Sequence, residues 1–86
     1  MRLFLISQAQ NNNYDTFDSA IVCAEDSEEA KSIHPQTSWG RNHSQYYWEQ
    51  DRGSWASSPE FVKVEEIGQA NINQKKGVIL ASYNAG

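Results

Sequence analysis

Phe17-Asp18-Ser19-Ala20-Ile21-Val22-Cys23-Ala24, running into Glu25-Asp26-Ser27-Glu28-Glu29, is the stretch that decides the fold class. Its first eight residues read as a β-strand. Asp26 and Glu29 then have the spacing of a capping box, with Asp26 as N-cap and Glu29 three residues on. Glu28 and Glu29 also suit the positive end of a helix dipole. Ala30, Ile33 and His34 share one face at three- and four-residue spacing. Pro35 stops the helix and biases His34 away from helical geometry. A helix of about two turns is not stable alone, so it must lie on a sheet.

The rest of the chain extends this pattern. Arg2-Leu3-Phe4-Leu5-Ile6-Ser7 reads as a strand, and its four consecutive apolar residues predict a central one. Gln10-Asn11-Asn12-Asn13 is a turn signal, because Asn tolerates left-handed backbone. Strands one and two therefore form an antiparallel hairpin with a long polar loop. Further on, Ser58 and Pro59 mark a one-turn helical start. Val62 to Ile67 reads as a strand ended by Gly68, and residues 69–76 as a polar connection. Gly77 to Tyr83 is the last strand, also predicted central from its consecutive apolar residues. The expected fold is α+β: a four- to six-stranded, mainly antiparallel sheet with one short helix on one face.

The chain has 86 residues, 38% hydrophobic and 21% charged, with a net charge of −4. This size predicts a single domain over residues 1–86. No apolar run approaches the roughly eighteen residues of a membrane span. The apolar start is too short for a signal peptide. One cysteine makes no internal disulfide, which points to a reducing cytoplasm. The acidic balance disfavours direct binding of nucleic acid, which needs a basic footprint.

Residues 36–58 stand apart as an aromatic insert. They hold all three Trp, two of the four Tyr, Arg41, Arg52 and His43. A structureless loop of this length is improbable in a small domain. A strand at about Gln45 to Glu49 is expected, with a turn at Asp51-Arg52-Gly53-Ser54 and Trp55 returning beside it.

Most chemical constellations are missing from the sequence. His34, His43 and Cys23 lack the spacing of a structural zinc site, so no metal is expected. Cys23 sits in an apolar strand with no neighbouring cation in sequence, the setting of a small buried hydrophobe rather than a nucleophile. There is no Gly-x-Ser-x-Gly elbow and no Gly-rich phosphate loop. No catalytic set and no cofactor is expected. The acids Glu25, Asp26, Glu28 and Glu29 read either as a patch for a basic partner or as a solvated helix start, and the second is favoured. The strongest contact candidates are Trp39, Arg41, Tyr46, Tyr47, Trp48, Arg52 and Trp55, because Trp, Tyr and Arg dominate interface hot spots. One or two of these aromatics are expected to be buried, leaving Arg41, Tyr46, Tyr47 and Arg52 as the exposed set.

Met1-Arg2-Leu3-Phe4-Leu5-Ile6-Ser7-Gln8, Tyr14 to Ala24, Ser27 to Pro35, Val62 to Glu65 and Lys76 to Gly86 together resemble a family of small phage and prophage proteins. The resemblance covers nearly everything except the aromatic insert and brings no catalytic residues. It implies a bacterial host cytoplasm and, by analogy with small acidic phage proteins such as anti-CRISPRs, inhibition of a host defence system. Two functions are therefore expected as alternatives. One is a binder that blocks a host protein through the insert. The other is a sponge for a small nucleotide, stacked by Trp39, Tyr47 or Trp48 and neutralised by Arg41 and Arg52 at an oligomer interface. A second copy of the chain is the expected partner in that case.

Overall fold

The computed structural model describes residues 1–12, 14–37, 44–50 and 53–84. Four strands form one antiparallel sheet: β1 (Arg2–Ser7), β2 (Thr16–Ala24), β3 (Lys63–Gln69) and β4 (Gly77–Asn84), in the order β3-β1-β2-β4. Helix α1 (Ser27–Ser32) packs on the sheet, and a second helix, α2 (Ser44–Gln50), follows it. A one-turn 3-10 helix at Pro59–Phe61 leads into β3. The α+β architecture is the one the sequence predicts.

Alternation along the strands decides which face is covered. Phe4 and Ile6 of β1 pair with Val22 and Ala20 of β2, and Val22 pairs in turn with Val78 of β4. All five are buried, and they form the core with Ala24, Ala30, Ile33, Trp55, Ala56 and Val62. Leu3, Leu5 and Ile21 alternate with them and face away from α1, only half-buried.

Helix α1 starts where the capping box places it. The Glu29 amide donates to Asp26 Oδ1 at 2.9 Å, and Glu29 Oε1 accepts from the Glu25 amide at 2.8 Å. The helix ends at Ile33, one residue before His34, and Pro35 opens a turn closed by the Thr37 amide donating to the His34 carbonyl at 3.0 Å. This is the turn position proline prefers.

The polar β1–β2 connection is tied together by one side chain. Gln8 Nε2 donates to the carbonyls of Asn11 (2.7 Å) and Phe17 (2.9 Å), while Gln8 Oε1 accepts from the amides of Gln10 (2.8 Å) and Asn11 (2.9 Å). Asn11 Nδ2 then donates to the Trp55 carbonyl at 2.7 Å, and Gln10 Oε1 accepts from the Ser57 amide at 2.9 Å. The hairpin loop thus holds the segment after α2 in place. The left-handed residue among those described in this loop is Asp15 (φ 62°), not one of the asparagines.

Two expectations are corrected. The segment expected as a strand at about Gln45 to Glu49 is helix α2. Consecutive residues of a strand point to opposite faces, so Tyr47 and Trp48 would diverge. In the helix both rings reach His34, and Gln45 Nε2 also donates to Glu49 Oε1 one turn on, at 3.0 Å. Second, β4 is an edge strand, although its apolar run predicts a central one. The second central position belongs to β2, whose Val22, Cys23 and Ala24 are all buried. Leu80 of β4 is 64% exposed.

Candidate functional site

The described part of the aromatic insert is built around His34. Its ring lies edge-on to Trp48 (5.1 Å between centroids), 6.0 Å from Tyr47 and 6.5 Å from Trp55. His34 is fully buried. Its backbone N–H donates to Ser44 Oγ at 3.1 Å, and its Nδ1 accepts from the Gln36 amide at 3.1 Å. Ser44 is the first residue of α2, so this bond ties the start of that helix to His34. Trp48 holds the other end of the contact, its indole N–H donating to the Ser32 carbonyl at 2.7 Å. Sequence reasoning places His34 at a helix end. It misses that His34 organises the aromatic cluster, for which the only local signal is its position directly before Pro35.

The aromatic residues therefore divide by role. Trp55 is fully buried in the core, which corrects its place among the contact residues: burial beneath the hairpin loop leaves it no surface to offer. Trp48 is half-buried and packs on the core. Tyr47 is half-buried against His34. Tyr46 is 58% exposed and meets the Tyr47 ring edge-on at 5.2 Å. Trp39, Arg41 and Arg52 lie outside the described residues, as do His43 and the first half of the expected turn at residues 51–54.

The acidic residues divide in the same way. Glu25, Asp26 and Glu28 are exposed at the start of α1. Glu29 is not a free patch charge, because Lys76 Nζ lies 2.8 Å from its Oε2. Burial pushes the Glu29 carboxyl up, but the Glu25 amide and the Lys76 ammonium outweigh it, and the group sits below the usual carboxylate range. The same pairing raises Lys76 above the ordinary lysine value. A six-residue helix is about 9 Å long, so the acidic start and the Trp48 contact lie at opposite ends of one short element.

Cys23 is buried, with its thiol 3.9 Å from Met1 Sδ. Burial pushes its pKa up, against the smaller opposing effect of the N-terminal ammonium. The thiol form is therefore favoured, as for a packing residue. Among the described residues no group of three His, Cys, Asp or Glu side chains is placed to hold a metal ion. Among them, too, no helix is long and apolar enough to cross a membrane.

An open cavity of about 280 Å³ lies between Phe17, Gln36, Ser54 and Tyr83. The Phe17 and Tyr83 rings form one wall, 4.7 Å apart and tilted by 58°. This volume is at the lower limit for ligand pockets, enough for a single ring system and not for a dinucleotide. No family model matches the chain, and no curated protein or solved structure matches it.

Proposed function

We propose that this protein binds and blocks a host protein, a component of a bacterial defence system, through the outer face of α2 and the acidic start of α1, at the far end of that helix from the Trp48 contact. The observation that carries this reading is Tyr46. It is 58% exposed on a helix whose other side is anchored by Trp48 and His34. An exposed tyrosine on a fixed helix makes contact area at small entropic cost, which is what a hot-spot residue needs. Glu25, Asp26 and Glu28 add negative charge within one helix length, complementary to a basic partner. A standard interface takes about 800 Å² from each partner, about one seventh of this chain's 5554 Å² of accessible surface. A seven-residue helix does not supply that alone, so the contact has to extend along α1. The phage setting and the defence target follow from the sequence resemblance.

The test is expression in bacteria carrying defined defence systems, scored by phage plaquing. Restored plaquing in at least one system is expected, with loss of the effect in Tyr46→Ala at unchanged protein level. No effect in any system, or full activity of Tyr46→Ala, overturns the reading. A second reading, capture of a small nucleotide base, has the Phe17–Tyr83 cavity in its favour. A nucleotide bound there raises the melting temperature by mass action, and Tyr83→Ala abolishes that shift.

A further inference from the structure

The cavity between Phe17, Gln36, Ser54 and Tyr83 has anchored walls. Phe17 and Tyr83 are cross-strand partners on β2 and β4. The Phe17 amide donates to the Ser54 carbonyl at 2.7 Å, which holds Ser54 against β2. The Gln36 amide donates to Nδ1 of the buried His34 at 3.1 Å, so the backbone of the fourth wall is held too. What remains open to solvent is chemically specific. Tyr83 is 48% exposed, so part of its ring is open to a stacking partner. The Gln36 side chain is exposed, and no described residue hydrogen-bonds to its carboxamide.

Charge narrows the choice of occupant. Asp15 Oδ1 accepts from the Tyr83 hydroxyl at 3.3 Å, which puts a carboxylate beside the cavity. Asp15 is exposed and, among the described residues, has no ion pair. None of the four lining residues is a lysine or an arginine. Burial first, and then the Asp15 charge, hold the Tyr83 phenol above its ordinary pKa, so the hydroxyl keeps its proton and stays a donor to Asp15. A phosphate is repelled by this carboxylate, and a planar cation is attracted. A guanidinium stacks on aromatic faces and carries five N–H donors for carboxylate and carboxamide oxygens. An ammonium has the charge but no flat face.

We propose that this cavity receives an arginine side chain of a partner protein, its guanidinium stacked on the Phe17–Tyr83 wall and hydrogen-bonded to Gln36 Oε1 and Asp15. The inference rests on the reading of this chain as a binder of a basic protein, and it adds a site and a side chain to that reading. Phe17 and Tyr83 supply the stacking surface, Gln36 an oriented acceptor and Asp15 the charge. A cavity of about 280 Å³ is small for a whole ligand but sufficient for one side chain.

NMR titration of the full chain with Nα-acetylarginine amide at low salt tests this. Shifts centred on Phe17, Gln36 and Tyr83 are expected, with a Kd of about 1–10 mM for a single side chain. The citrulline analogue, its neutral isostere, binds about fivefold more weakly, and so does the lysine analogue. Asp15→Asn keeps an acceptor for the Tyr83 hydroxyl and tolerates the left-handed backbone at this position (φ 62°). It lowers arginine binding to about the citrulline level. Gln36→Ala, at an exposed site, weakens it about threefold. Added salt weakens binding to the wild type more than to Asp15→Asn. An arginine probe that shifts none of the three residues overturns the proposal, and so does citrulline binding as tightly as arginine. Adenosine binding there more tightly than arginine overturns it in favour of base capture. The probe is one amino acid, so the result is separable from the phage assay. Shifts without restored plaquing leave the site and remove the defence target, and restored plaquing without shifts does the reverse.

Discussion

The indole N–H of Trp48 donates to the Ser32 carbonyl across 2.7 Å, and this joins α2 to the last turn of α1. The bond satisfies a carbonyl that the end of a helix leaves without an intrahelical partner. It also commits the Trp48 side of α2 to the protein and leaves Tyr46 outside. Trp48→Phe keeps most of the ring packing but loses the bond. Ser32 is exposed, so water replaces the donor, and the expected loss is about 1 kcal/mol. Urea denaturation checks it, and a wild-type midpoint in Trp48→Phe contradicts the role given to this bond.

Trp55 and Tyr46 are expected to separate folding from binding. Trp55→Ala opens a large cavity in the core and costs about 3–5 kcal/mol. Small domains have only about 5–15 kcal/mol in total, so this variant is largely unfolded near its former melting temperature. Tyr46→Ala changes stability by less than about 0.5 kcal/mol. Its binding to the target weakens by more than about 1 kcal/mol if Tyr46 is a hot spot. Circular dichroism melts and a binding titration make the comparison.

Gln8 is the residue whose loss most disturbs the hairpin loop. Its side chain makes four hydrogen bonds at 2.7–2.9 Å. Gln8→Leu is close in volume but leaves two donors and two acceptors without their partner. A cost of about 1–3 kcal/mol is expected, or a fall in Tm of about 4–8 °C for each kcal/mol. The amides of Gln10 and Asn11 lose their protection against hydrogen exchange.

The Glu29–Lys76 pair gives stability a dependence on pH at both extremes. Glu29 has a folded pKa below its ordinary value, so its contribution is present above the ordinary carboxylate range and is lost as pH falls through the folded value. Lys76 has a folded pKa above its ordinary value, so its contribution is present below the ordinary lysine range and is lost as pH rises through the folded value. Glu29→Gln keeps an oxygen for the Glu25 amide and removes the charge. The difference in stability between wild type and variant is therefore largest near neutral pH and shrinks toward both limits. Denaturant midpoints across pH measure it, and a difference constant with pH contradicts the assignment.

The sequence by itself determined the elements whose causes are local. The capping box at Asp26 and Glu29, the stop at Pro35 and the run of four apolar residues in β1 act within a few residues of where they are written. So do Ser58 and Pro59, which open the 3-10 turn before β3. The acidic start of α1 is legible for the same reason. Tertiary structure alone decided three things. It made 44–50 a helix, because tyrosine and tryptophan suit either conformation and His34, ten residues earlier, settled which. It put β4 at the edge, because a run of apolar residues records burial on some face and not the identity of a neighbour. It buried Trp55 and left Tyr46 exposed, because the hydrogen bonds that hold the Trp55 segment come from Gln10 and Asn11, more than forty residues away. Partners that distant leave no periodic signal in the sequence between them, so only the folded chain shows which aromatic residues are core and which are surface.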